Sequence, residues 1–157
     1  MPIITDGGIE TRIMFETDLA MDPHLQVAAM VSDSAGRAAL RSIYESYVHA
    51  VRGFPLPLII GSPTFRASVN FVRAAGRGEG GVRELNADAV RLMREVRDGV
   101  GHRPVFIAGV LGPSGDAYTP GEALASDAAA AYHRVQSQAL AEAGVDFLFA
   151  PHLSDGR

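Results

Sequence analysis

Neither cysteine nor lysine occurs in the 157 residues; all 14 basic residues are arginine. The missing cysteine excludes disulfides, thiolate metal ligands and a cysteine nucleophile. The missing lysine excludes a Schiff base and the lysine of a phosphate-binding loop. We read the arginine-only usage as the mark of a GC-rich genome, not of function. Long hydrophobic runs are absent too. The most apolar stretch, Phe54-Pro-Leu-Pro-Leu-Ile-Ile60, is cut by prolines and far short of the about 18 residues a membrane helix needs. No basic region leads into an apolar core at the N-terminus, because Asp6 and Glu10 arrive early. A soluble, cytoplasmic protein with no membrane partner is expected. Nucleic acid is not expected as a partner either. The net charge is −4, and the arginines are scattered and not interleaved with aromatics.

What is present suits a globular chain: 47% hydrophobic and 20% charged residues, with mean hydropathy of +0.10. The length fits one domain spanning residues 1–157, with no linker to divide it. Four short apolar runs punctuate it: Ile3-Ile4-Thr5, Leu58-Ile59-Ile60, Val105-Phe106-Ile107-Ala108 and Phe147-Leu148-Phe149-Ala150. Continuous apolarity of this length is typical of parallel strands covered on both faces. Between them lie helical patterns. Ser32, Asp33 and Ser34 offer N-caps to a stripe of Leu40, Ile43, Tyr44, Tyr47, Val48 and Val51. A second helix is expected from Asn86 to Gly99 or Gly101, burying Ala89, Val90, Met93 and Val96. A third runs from Ser126 and Asp127 to a C-cap at Gly144, its alanines 128–131 suited to close approach to a sheet. The alternation predicts an α/β fold with a parallel sheet.

In such folds the functional groups gather past the C-terminal ends of the strands. Those positions hold Asp6-Gly7-Gly8, Ser62-Pro63-Thr64, Gly112-Pro113-Ser114-Gly115-Asp116 and Pro151-His152. Asp6 has two readings: acceptor for a ligand's ammonium or hydroxyl group, with the Gly7 and Gly8 amides facing a carboxylate, or cap of a turn or of the following helix. The segment Gly76-Arg-Gly-Glu-Gly-Gly81 has the spacing of a dinucleotide fingerprint. It follows the helix-like Phe71-Val-Arg-Ala-Ala75, not a strand, and reads as a surface loop. His24, His49, His102, His133 and His152 fit no metal-ligand spacing, and no serine elbow or hydrolase triad is present. The residues alone point to a small polar ligand at the strand ends.

At these clusters the chain resembles the homocysteine S-methyltransferase family. Ile3-Ile-Thr-Asp-Gly-Gly-Ile-Glu-Thr11 is similar to the family's first strand and its Asp-Gly-Gly turn. Gly61-Ser-Pro-Thr-Phe-Arg-Ala-Ser68 resembles its second-strand motif, and Ala108-Gly-Val-Leu-Gly-Pro-Ser-Gly-Asp116 its third-strand Gly-Pro-x-Gly turn. Tyr132-His-Arg134 with Ala139-Leu-Ala-Glu-Ala-Gly-Val-Asp146 resembles the helix leading into the fourth strand. The resemblance implies a TIM-type (β/α)8 barrel that methylates the homocysteine sulfur, giving methionine. It implies a zinc-thiolate site, with a donor such as S-methylmethionine, S-adenosylmethionine, betaine or a methylated folate. Metal binding keeps the substrate sulfur as the nucleophilic thiolate. Carried over by motif, Asp6 holds the amino group, Gly7 and Gly8 lie at the amino-acid end, and Ser62 and Thr64 line the pocket.

The departures are as telling. The family's zinc cysteines belong to the second half of the barrel, so no zinc ligand and no catalytic residue is assigned here. A barrel takes about 250 residues, whereas this chain carries strands for four of eight units. The family's glutamate after strand four is Pro151, and its second-strand asparagine is Pro63. The expectation is therefore the N-terminal half of a methyltransferase barrel, truncated and not catalytic alone. The alternative is a non-catalytic half-barrel that self-associates and binds a small amino acid. Either version leaves sheet edges and an apolar face open, predicting a homo-oligomer or a partnering C-terminal half.

Overall fold

The computed structural model describes residues 2–151 except 79, 103, 117, 118 and 120–123. Four strands form one parallel sheet in the order β1-β2-β3-β4: β1 Ile4–Thr5, β2 Leu58–Gly61, β3 Val105–Val110 and β4 Phe147–Phe149. Each strand lies beside its predecessor in the chain, the order of a barrel wall. Asp6, Gly7 and Gly8, the loop after β2 and the loop after β3 therefore collect at one rim.

Between β1 and β2 lie α1 (Ile9–Glu16), a 3-10 helix (Val27–Ser32) and α2 (Ser34–Ala50). Asp33 caps α2 as its spacing predicts, accepting from the amides of Ala35 at 3.2 Å and Gly36 at 2.6 Å. A short α3 (Val69–Ala74) precedes α4 (Gly81–Gly99), and α5 (Ser126–Ala143) leads into β4. The second helix thus starts five residues before the expected Asn86. Gly81, Val82 and Leu85 extend its buried stripe, and Asn86 sits inside it, donating to the carbonyls of Ala67 at 2.9 Å and Val82 at 2.7 Å. A mid-helix asparagine with two such acceptors interrupts nothing. Helix α5 ends at Gly144 in the left-handed region, φ 83°, as expected. Its alanine-rich turn, however, stays in solvent; the buried residues are Gln136, Ala139 and Leu140.

The core lies between the helices and one face of the sheet. Leu58 and Ile60 of β2 and Val105 and Ile107 of β3 meet Leu40, Ile43, Tyr44 and Val48 of α2 and Leu85, Ala89, Leu92 and Met93 of α4. Arg37 and Arg41 of α2 both pair with Glu95 of α4 over this layer. The opposite face is different. By register, Thr5, Ile59 and Phe106 are lateral neighbours, as are Ala108 with Phe147 and Val110 with Phe149. Phe106 and Phe147 are each 39% exposed and Phe149 is 50% exposed. The strands read as covered on both faces, but helices cover only one. The apolar residues of the other would fill the interior of a closed barrel.

The segment before Gly76 is helical, as read, so the glycine pattern lacks the strand a dinucleotide site requires. His152 lies outside the described residues. Among the described residues, no helix is long and apolar enough to cross a membrane.

Candidate functional site

The chain leaves β1 through Asp6 and turns on Gly8, whose φ of 61° suits glycine, before entering α1. No side chain caps that helix. Asp6 instead reaches sideways: its carboxylate accepts from the Gly61 amide at the end of β2, at 2.8 Å. Asp6 therefore does not cap α1. Tyr44 of α2, fully buried, donates to the Gly61 carbonyl at 2.7 Å, and the Tyr47 hydroxyl donates to the Gly7 carbonyl. The turn is held from beneath by two phenols, and the amides of Gly7 and Gly8 donate to no described residue.

Above this turn opens a cavity of about 540 Å³, walled by Asp6, Gly7, Gly8, Glu10, Ser62 and Arg66, with Val110 and Phe149 on its apolar side. Its size suits an amino acid with room for a second small molecule. Burial raises the Asp6 carboxyl to about 6, outweighing the hydrogen bonds from the Gly61 amide and from its own amide. Burial likewise raises Glu10, and the nearby Arg66 guanidinium opposes that rise. Both carboxylates bear electrostatically on the Tyr44 hydroxyl, whose own burial holds its pKa well above the usual phenol value. Two partly desolvated carboxylates thus line the cavity.

Ser62 and Thr64 serve the walls. The Thr64 hydroxyl donates to the Val110 carbonyl at 2.7 Å, so the hydrogen bond between the two hydroxyls, also 2.7 Å, takes its proton from Ser62. Ser62 in turn accepts from the Val110 amide at 3.1 Å. Together they tie the end of β2 to the end of β3. Ser62 borders the cavity; Thr64 is fully buried behind it. Deeper still, Gln136 donates to the Thr64 carbonyl at 2.7 Å and to the Asn86 side-chain oxygen at 3.2 Å. Gly112 shows why the turn after β3 carries glycine: a Cβ there would overlap the Phe65 carbonyl oxygen. Asp116 stands exposed at the rim of the same cavity.

Glu10 and Arg66 were not singled out from the sequence. Arg66 carried a signal nonetheless, being the one charged residue between Arg52 and Arg73. A partly buried charge is costly unless something pairs with it. Glu10 could be recognised only once Gly8 was known to start a helix.

A singly wound parallel sheet with its loops and cavity at the C-terminal rim defines half of a TIM-type barrel. The sequence matches the profile of the homocysteine S-methyltransferase family over residues 3–155, and the chain belongs to that family. The structure of the homocysteine methyltransferase MmuM from Escherichia coli in its metallated form superposes with a TM-score of 0.80 at 23% identity. That match covers 98% of this chain and 55% of that one. The oxidized form of the same enzyme gives a TM-score of 0.77 at 22% identity, covering 93% and 51%. The chain therefore spans about half the length of the solved structures it matches. No curated protein matches it significantly.

The residues present do not fit the zinc site that the family implies. The sequence supplies no thiolate, and among the described residues no group of three histidine, cysteine, aspartate or glutamate side chains is placed to hold a metal.

Proposed function

We propose that residues 1–157 form one domain, the N-terminal half of a homocysteine S-methyltransferase barrel, and that it holds the amino-acid end of a homocysteine-like substrate. The observation that carries this reading is the partly desolvated Asp6 carboxylate in the wall of an amino-acid-sized cavity, beside two unbonded amides. Asp6 accepts from the substrate ammonium, the Gly7 and Gly8 amides receive its carboxylate, and Ser62, backed by Thr64, fixes the wall. The thiol then extends along Val110 and Phe149, away from the charged end. Methyl transfer to that sulfur, and the zinc that holds it as a thiolate, fall to residues this chain does not supply. Such an enzyme acts in methionine synthesis, in the cytoplasm, where a thiol substrate stays reduced.

Calorimetric titration with L-homocysteine and L-methionine tests the reading. Asp6→Ala is expected to weaken binding by about 1–3 kcal/mol, and unchanged affinity rejects the role. Methyl transfer assayed with this chain and added zinc is expected to stay at background; robust turnover would overturn the division of labour.

A second reading rests on the open sheet face. The exposed Phe106, Phe147 and Phe149 favour a non-catalytic half-barrel that covers this face by self-association, as a homo-oligomer, while keeping the amino-acid pocket. A monomer in sedimentation of the purified chain would rule this second reading out.

A further inference from the structure

The cavity contains a cation that the reading above does not use. Arg66 sits half-buried in its wall, in the loop after β2. Its guanidinium lies over the Phe71 ring, 4.8 Å from the centroid. It donates no hydrogen bond and forms no ion pair with any described residue, although Glu10 is close enough to feel its charge. The other well-placed arginines of the chain contrast with it. Arg12 is bonded to Glu16 and Ser46, and Arg37 and Arg41 are bonded to Glu95. An arginine offers five donors in a planar fork that matches a carboxylate. Contact with the Phe71 ring holds the guanidinium without using any of its donors.

The opposite charge is also in place. Asp6 and Glu10 both border the cavity. The wall thus carries two carboxylates and a cation with no hydrogen-bonded anion of its own. Neither pole neutralises the other by direct contact. A ligand complementary to both carries an ammonium and a carboxylate on one small frame.

We propose that Arg66 and Glu10 make this pocket selective for α-amino acid zwitterions, Arg66 binding the ligand carboxylate and Glu10 joining Asp6 on the ammonium. This deepens the amino-acid reading and rests on it. A carboxylate has about four lone-pair sites, enough for the Gly7 and Gly8 amides and the guanidinium edge together. Glu10 would then supply a second carboxylate to the ammonium from the first turn of α1.

Three thiols divide the contributions: L-homocysteine, aminopropanethiol, which lacks the carboxylate, and mercaptobutanoate, which lacks the ammonium. Each is titrated calorimetrically into the wild-type chain, Arg66→Gln and Glu10→Gln, with thermal midpoints recorded to confirm folding. Arg66→Gln is expected to weaken homocysteine by roughly tenfold or more and to leave aminopropanethiol unchanged. Glu10→Gln is expected to weaken homocysteine and aminopropanethiol and to spare mercaptobutanoate. Equal losses for all three thiols in either variant would mark a structural role and overturn the assignment. Unchanged homocysteine affinity in both variants would overturn it too. If Asp6→Ala weakens homocysteine binding while Arg66→Gln leaves it unchanged, the amino-acid reading stands and the Arg66 assignment falls. If the wild-type chain binds no homocysteine at millimolar concentration, both fall together.

Discussion

Replacing Asp6 by asparagine is expected to stabilise the chain while removing its ligand. In the folded protein burial lifts the Asp6 carboxyl from 3.8 to about 6. At about 1.4 kcal/mol per pH unit this corresponds to about 3 kcal/mol of unfavourable charging. The side chain keeps some contact with solvent, so a measured value of about 1–3 kcal/mol is expected. The sign follows from linkage. Between 3.8 and about 6 the folded state binds more protons than the unfolded state, so the wild type loses stability as pH rises through that window. Above it the loss is complete; below it the loss is absent. Asparagine carries no charge at any of these values, yet its side-chain oxygen can still accept from the Gly61 amide. Glu10 titrates in both chains, so its contribution drops out of the difference to first order. Urea unfolding at a series of pH values from about 4 to about 8 therefore reads a gap that opens with rising pH and then levels off. A variant less stable than wild type at the alkaline end would refute the reasoning. So would a gap that does not depend on pH. Homocysteine binding lost in the same variant would show the carboxylate kept at a cost in stability for the sake of a ligand.

Two further outcomes follow from the packing. Asn86→Ala removes the donor that satisfies the Ala67 carbonyl and the acceptor for Gln136. The Val82 carbonyl belongs to the helix ladder, so about 1–3 kcal/mol is expected in urea unfolding, and a loss under about 0.5 kcal/mol would contradict the network. The open sheet face predicts association, or binding of an apolar dye, for the isolated chain. Sedimentation showing a clean monomer at micromolar concentration with no dye fluorescence would contradict it, and Phe106→Gln with Phe147→Gln should reduce both signals.

Much of this fold is legible in the sequence because buried parallel strands leave an unambiguous trace. All four apolar runs became strands, and Asp33 and Gly144 marked helix ends by local chemistry that needs no tertiary partner. The start of α4 was misread for the opposite reason. Asn86 looks like a cap, and only its contacts with Ala67 and Gln136, distant in sequence, show it to be core. The alanines of α5 misled similarly, since small residues permit close packing without requiring it. At the site, the strand pattern placed Asp6 at a strand end, whereas placing Glu10 at the cavity depended on where α1 begins. Arg66 depended on noticing a lone charge. The apolar runs alone could not show that one sheet face is open, because a strand facing a barrel interior and one facing water can carry the same residues; that expectation came from counting four strands where the resembling barrel has eight.

The strand order has a consequence for how such a protein can be assembled. With β1 to β4 laid side by side in chain order, no later segment is ever inserted between earlier ones. The wall can grow only at its two ends, by accretion, and whatever joins at β4 need match only the stagger and curl already set there. A piece of backbone with that stagger extends the wall equally well whether or not it is covalently joined to it. On the proposed reading the site is divisible at a seam, with the charged end of a ligand recognised on one side and the rest left to the other.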